Sequence, residues 1–269
     1  NLRMDIDALQ KSIQCDLEQG FLPLAVIASA GTVSTGAIDP LEEIAEICKQ
    51  HNIWFHIDGA YGAVSACVPS TSDELAGIGL ADSVAMDAHK WLFVPFEAGC
   101  VLLRNRLHLT DTFAHETTYY PTTGGPNALP IAYRDQGVQT SRGFRALKVW
   151  MCLKRAGKDG YAQMIGNNIR QAKRLYEKVQ QHPELEAVSQ GLSITTFRYH
   201  PAEIHDEELL NKLNREILST LQAKAWAYPS HATVNGKYLI RVCITNFRTT
   251  DQDIDELPDR VLSIARNIS

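Results

Sequence analysis

Lys90 lies in the stretch SVAMDAHKWLFVPFEAGC, between Val84-Ala85-Met86 and the apolar run Trp91-Leu92-Phe93-Val94. A lysine among groups that do not solvate charge has two readings. It can lay its stem along apolar surface and carry the ammonium out to water. It can also serve as an amine nucleophile toward a carbonyl, a use that desolvation favours. Asp58 ends the apolar segment IWFHID and is followed by the small residues Gly59 and Ala60. An acid there can cap a helix or shape a turn. It can equally be a buried carboxylate awaiting a cation, with Gly59 and Ala60 leaving room for a flat ring. Carboxylate and amine together are what pyridoxal phosphate requires. The acid keeps the pyridine nitrogen protonated, and the lysine takes the aldehyde.

Both groups must stand at the ends of strands for this to work. PLAVIASA (23–30) is a continuous apolar run, the pattern of a strand buried on both faces. DPLEEIAEICKQHN (39–52) reads as a helix, with Asp39 as its N-cap and Leu41, Ile44, Ala45 and Cys48 on one face. IWFHID (53–58), DSVAMD (82–87) and GCVLLRN (99–105) read as further strands. This alternation predicts a parallel or mostly parallel sheet, in which functional groups gather at the carboxyl ends of the strands.

From about residue 110 to 141 the chain is rich in Thr, Gly and Pro and has little periodicity, as in a functional or mobile connection. Ser141 is placed to cap a helix whose Phe144, Leu147, Trp150 and Met151 share a face. A long helix over roughly 160–181 leads to two alternating strands, 192–200 and 238–247. DQDIDELPDRVLSIARNIS reads as a closing helix that Pro258 bends or restarts.

Composition bounds the class. With 269 residues, 45% hydrophobic, 21% charged and a net charge of -5, the chain reads as an ordinary globular protein. Nothing in that charge calls for nucleic acid or an anionic membrane. The six cysteines have no paired or metal-ligand spacing, so buried free thiols in the cytoplasm are expected. The histidines form no metal-like cluster, and no metal is assigned. The sequence opens at Asn1 directly on an amphipathic helix, so a longer natural chain is expected.

Three motifs in order, AGTVSTGAIDPLEEIAEIC, HIDGAYGA and ADSVAMDAHKWLFVPFEAGCVLLRN, resemble those of the PLP-dependent group II amino acid decarboxylases. That family includes aromatic-L-amino-acid, tyrosine, histidine and glutamate decarboxylases, and the resemblance runs over nearly the whole chain. It implies PLP fold type I, an aspartate-aminotransferase-like α/β architecture. Residues 1–154 would be the C-terminal portion of the PLP-binding large domain, and 155–269 a small C-terminal α+β domain.

At the matching positions the resemblance implies that Lys90 carries the cofactor and Asp58 binds its pyridine nitrogen. Ala60 would lie against the ring, and His89 at cofactor and substrate. Thr32, in the AGT loop, would approach the cofactor. A backbone-held histidine and a plain turn threonine remain the alternatives. Two departures stand out: Val33 where several relatives have a second threonine, and Asp87 where asparagine is common. The extra carboxylate could pair with the Lys90 amine or alter the phosphate environment.

The implied activity is decarboxylation of an L-amino acid, aromatic ones favoured, to the amine and carbon dioxide. Tyr119, with Tyr120 beside it, matches the loop tyrosine that returns a proton after carbon dioxide leaves. Loss of that tyrosine would divert the reaction to oxidation and aldehyde formation. A PLP aminotransferase or lyase of the same fold uses the same lysine and aspartate. The resemblance also implies a homodimer with its active site at the interface. The family's phosphate-binding loop and ring-stacking histidine belong upstream of Asn1. An inactive fragment that needs a complementing N-terminal chain is therefore a further reading.

Overall fold

Asp5 accepts the Ala8 N–H and starts α1 (Ile6–Glu18), an N-cap of the usual acidic kind. The computed structural model describes residues 2–114 and 133–268. After α1 the chain forms β1 (Ala25–Ser29), α2 (Leu41–His51), β2 (Trp54–Asp58) and β3 (Ser83–Asp87). The single turn α3 (Ala88–Trp91), β4 (Gly99–Leu103) and α4 (Leu107–Phe113) follow.

These strands form one sheet in the order β1-β2-β3-β4. The first three are parallel and β4 is antiparallel at the edge. The register sets Ser29, Asp58 and Ala85 side by side, so β1 and β2 end level and β3 runs two residues further, to Asp87. One face, carrying Val26, Ala28, Phe55, Ile57 and Val84, is buried with Leu41, Ile44 and Cys48 of α2 and Ile13 of α1.

The other face is largely open, with Ile27 61% exposed. That corrects the expectation of a first strand buried on both sides. Its burial alternates, because only one face of the sheet is covered within the described residues. Asp39 is also not a helix cap. Nearly buried, it accepts the N–H groups of Met4 and Ser29, both at 2.7 Å, and α2 begins at Leu41 without a side-chain cap. Two buried donors that must be satisfied take both its oxygens.

α5 (Arg145–Gln180) is two helices joined at Gly157, whose φ of 66° and ψ of 177° are non-helical. Ser141 lies outside it, and Phe144 holds the cap position with no side-chain bond. The apolar face expected to pack is exposed, Phe144 at 76% and Trp150 and Met151 at 57% each. Beyond the kink, Tyr161 and Ile165 join the core of the first sheet, whereas Ala172, Leu175 and Val179 join a second.

That second core lies under an antiparallel sheet in the order β5-β6-β8-β7: β5 (Leu185–Gly191), β6 (Ile194–Tyr199), β7 (Ser230–Val234) and β8 (Lys237–Cys243). Its other helices are α6 (Glu207–Ala223) and α7 (Asp251–Ile268). β6 is buried along its whole length, not on one face. α7 runs unbroken through Pro258, which is buried inside it. All six cysteines are free, but only Cys48 is buried, and Cys15 and Cys100 are exposed. Among the described residues no helix is long and apolar enough to cross a membrane.

Candidate active site

Gly59 follows β2, and a Cβ there would come within 2.4 Å of the Ala63 side chain. Only glycine allows this close return, and it aims the end of β2 at the neighbouring strand. The Gly59 N–H is donated to the Ala85 carbonyl at 3.0 Å, and the Asp87 N–H to the Ala60 carbonyl at 3.2 Å. The ends of β2 and β3 are thus stitched past their regular ladder.

Asp58 sits at the open end of β2. It is exposed rather than buried, which corrects the sequence expectation. Its Oδ1 accepts the Ala60 N–H at 3.1 Å, the turn-forming role of a strand-end aspartate. Oδ2 has no protein partner among the described residues. Side chains alternate along a strand, so Asp58, Ala85 and Asp87 belong to the same open face.

Lys90 stands three residues beyond, on α3. Its Nζ lies 2.8 Å from Asp87 Oδ2, with the lysine side chain 45% exposed. The amine is therefore ion-paired and open to water, as the first of the two sequence readings has it, and not desolvated as the second requires. The turn that bears it is anchored by its neighbour. Trp91 is fully buried, stacks on Tyr61 at 4.8 Å and donates its indole N–H to Asn168 Oδ1 at 3.1 Å. Tyr61 in turn meets Ser193, in the turn between β5 and β6, at 2.6 Å. Burial drives its phenol far above the usual tyrosine range, so this hydrogen bond joins neutral groups.

His89 is half-buried. Its Nδ1 accepts the Ala98 N–H at 3.1 Å, and its ring edge meets Phe96 at 4.9 Å. A backbone donor on Nδ1 leaves the ring proton on Nε2. The segment supplying that donor is held by Glu97, whose Oε1 accepts from Arg145 Nε at 2.9 Å. That hydrogen bond and the Arg145 charge lower the Glu97 carboxyl below the usual range.

Thr32 occupies the turn after β1. Its hydroxyl lies 3.0 Å from Thr35 Oγ1 and accepts the Ala37 N–H at 3.1 Å, so the turn itself uses it. Arg241, which the sequence reading passed over, reaches from β8 to the Val33 carbonyl at 2.6 Å. Its signal was a single charge inside the apolar strand YLIRVC. Tyr119 and Tyr120 lie outside the described residues. Among the described residues, no group of three or more His, Cys, Asp or Glu side chains is placed to hold a metal ion.

The arrangement brings Asp58, Asp87 and Lys90 to one end of one sheet face, with Ala60 between the strand ends and His89 beside the lysine. An acid at the end of β2, with one oxygen unpartnered among the described residues, and an amine on the turn after β3 fit a heteroaromatic ring that bears a basic nitrogen and an aldehyde. Pyridoxal phosphate has both, and Asp58 and Lys90 are the residues that would hold it.

The family described as the pyridoxal-dependent decarboxylase conserved domain matches residues 1–200. An aromatic-L-amino-acid decarboxylase from Bacillus atrophaeus is 35% identical over 270 residues, covering 100% of this chain and 56% of the relative. A phenylacetaldehyde synthase from Arabidopsis thaliana is 31% identical over 258 residues, covering 95% of this chain and 52% of the relative. The chain thus spans about half the length of the curated relatives it matches. Among solved structures, Oryza sativa TDC with PLP and tryptamine superposes with a TM-score of 0.91. It covers 99% of this chain and 55% of that one, and at 24% identity it speaks to the fold.

Proposed function

Because the chain belongs to the pyridoxal-dependent decarboxylase family, we propose that it carries the lysine and aspartate half of an amino acid decarboxylase site. The reaction takes an L-amino acid, aromatic ones favoured, to the amine and carbon dioxide. The observation that carries the reading is that Asp58 ends β2 on the face it shares with Ala85 and Asp87 of β3, and that Lys90, three residues past β3, is ion-paired with Asp87.

Bound there, pyridoxal phosphate would supply an electron sink for the carbon that loses carbon dioxide. Asp58 would hold a proton at the ring nitrogen, and Lys90 would be the amine that takes the cofactor's aldehyde. Ala60 is assigned the place against the flat ring, and Thr32 an approach to it from the loop after β1. His89, its Nδ1 tied to Ala98, would have an Nε2–H available to cofactor or substrate. Tyr119 is assigned the return of the proton to the α-carbon, and that step decides between amine and aldehyde. The similarity to a phenylacetaldehyde synthase makes aldehyde formation the second reading.

The open face with Ile27, and the exposed Phe144, Trp150 and Met151, support assembly with further protein. We read this as a dimer with the site at its interface, together with a complementing N-terminal portion over the sheet. Six free cysteines are in keeping with a cytoplasmic enzyme. The test is a panel of L-amino acids assayed on the assembled protein for carbon dioxide, amine and aldehyde. Amine from an aromatic substrate, lost in Lys90→Ala, supports the assignment. A Lys90→Ala variant with parental turnover overturns it.

A further inference from the structure

Asp87 holds the position before α3, where an aspartate ordinarily turns back to cap the helix. Its side chain makes no cap bond here. Its carboxylate instead meets Lys90 Nζ at 2.8 Å and is 28% exposed. Space is kept for it across the sheet. Asp87 pairs with Gly99 of β4, where a Cβ would press on Asp87 Oδ1 at 3.3 Å. The Asp87 backbone is held independently, by its N–H on the Ala60 carbonyl, so the side chain is free for another task.

We propose that Asp87 is a positioning residue, a latch that parks the Lys90 ammonium on the Asp58 side of the sheet until a carbonyl ligand arrives. The inference rests on the decarboxylase reading for its purpose, but the latch itself is a property of two side chains, Asp87 and Lys90. While paired, the amine is a cation with no lone pair to offer, and it becomes a nucleophile only when it leaves Asp87 and gives one proton to water. The pair also fixes where the amine waits. The i,i+3 spacing on one turn keeps Nζ at the end of β3, beside the strand that ends in Asp58. Exposure keeps the latch weak enough to open, since ion pairs in contact with water hold loosely.

The test compares the full chain with Asp87→Asn and Asp87→Glu variants, without added cofactor. A limiting dose of an acyl ester selective for amines is followed by peptide mass spectrometry, with surface Lys11 as internal reference. Asp87→Asn keeps the size and removes the charge. It should acylate at Lys90 about two- to fivefold faster than the parent, the factor matching the strength of an exposed ion pair. Asp87→Glu keeps a carboxylate and should stay close to the parent. An unchanged or slower Lys90 rate in Asp87→Asn, or equal acceleration in both variants, overturns the latch. A second arm follows pyridoxal phosphate uptake by absorbance. Faster acylation with no uptake in any variant would leave the latch standing and count against the decarboxylase reading instead.

Discussion

The Trp91 indole N–H is donated to Asn168 Oδ1 at 3.1 Å, and both residues are fully buried. This bond joins the turn that carries Lys90 to the long helix that enters both cores. Asn168 spends its amide on the Gln171 side chain and the Asn246 carbonyl, so the anchor is satisfied at both ends.

Asn168→Ala therefore leaves the buried Trp91 indole donor and the buried Gln171 Oε1 without these partners. Each such orphan costs about 1–3 kcal/mol. The variant should lose at least about 2 kcal/mol in chemical denaturation, with an unchanged denaturant slope. A shift within error of zero would mean that Trp91 finds another partner and that the anchor is dispensable.

His89 offers a spectroscopic check. With the Ala98 N–H on Nδ1, the neutral ring must carry its proton on Nε2. Nitrogen-15 shifts of histidine-labelled protein should place His89 in that tautomer. A signal from a protonated Nδ1 in the neutral ring would contradict the assigned role.

Acid stability should show the α5–α7 pairing. Hydrogen bonding from Arg174, with the charges of Arg174 and Lys178, holds the Asp255 carboxyl at about 2, below its ordinary 3.8. Its partners favour the ionised form. Its contribution is complete above pH 3.8 and is lost as pH falls toward about 2. Asp255→Asn should lower stability near neutrality and flatten the loss across that window. An acid profile parallel to the parent's would show that the pair is inert.

The thiols should separate by burial. Cys48 is 2% exposed, and burial, with Asp82 nearby, pushes its thiol up to about 11. Alkylation near pH 8 should modify exposed Cys15 first and leave Cys48 untouched until denaturant is added. Early modification of Cys48 would mean that the core around α2 opens readily.

Much of this site could be read before any coordinates. The strand ends at Asp58 and Asp87, the turn after Gly59 and the order of the motifs are local features, written in residue types a few positions apart. Exposure is different, because it depends on what lies across the sheet. Ile27 sits in an apolar run that looks buried on both faces, yet its face has no helix over it within the described residues. Phe144, Trp150 and Met151 form a proper apolar stripe that meets water for the same reason. Periodicity records which side chains are suited to burial and is silent on which surface buries them.

Asp39 and Asp87 show a second limit. Asp87 occupies the cap position of α3 and Asp39 lies one residue before that of α2, and neither caps its helix, because partners distant in sequence or one turn ahead take the carboxylate. Distant backbone donors claim Asp39, and the Lys90 ammonium claims Asp87. Arg241 likewise gains its place at the Val33 loop only when the second sheet docks against the first.

The central claim is that Asp58 and Lys90 serve one pyridoxal ring, and reductive trapping tests it most directly. The assembled protein is mixed with pyridoxal phosphate, treated with borohydride and digested for mass spectrometry. The account predicts the cofactor's mass on Lys90, with capture weakened in Asp58→Asn and no stable adduct in Lys90→Ala. A cofactor adduct confined to other lysines, or undiminished cofactor absorbance in Lys90→Ala, would contradict it.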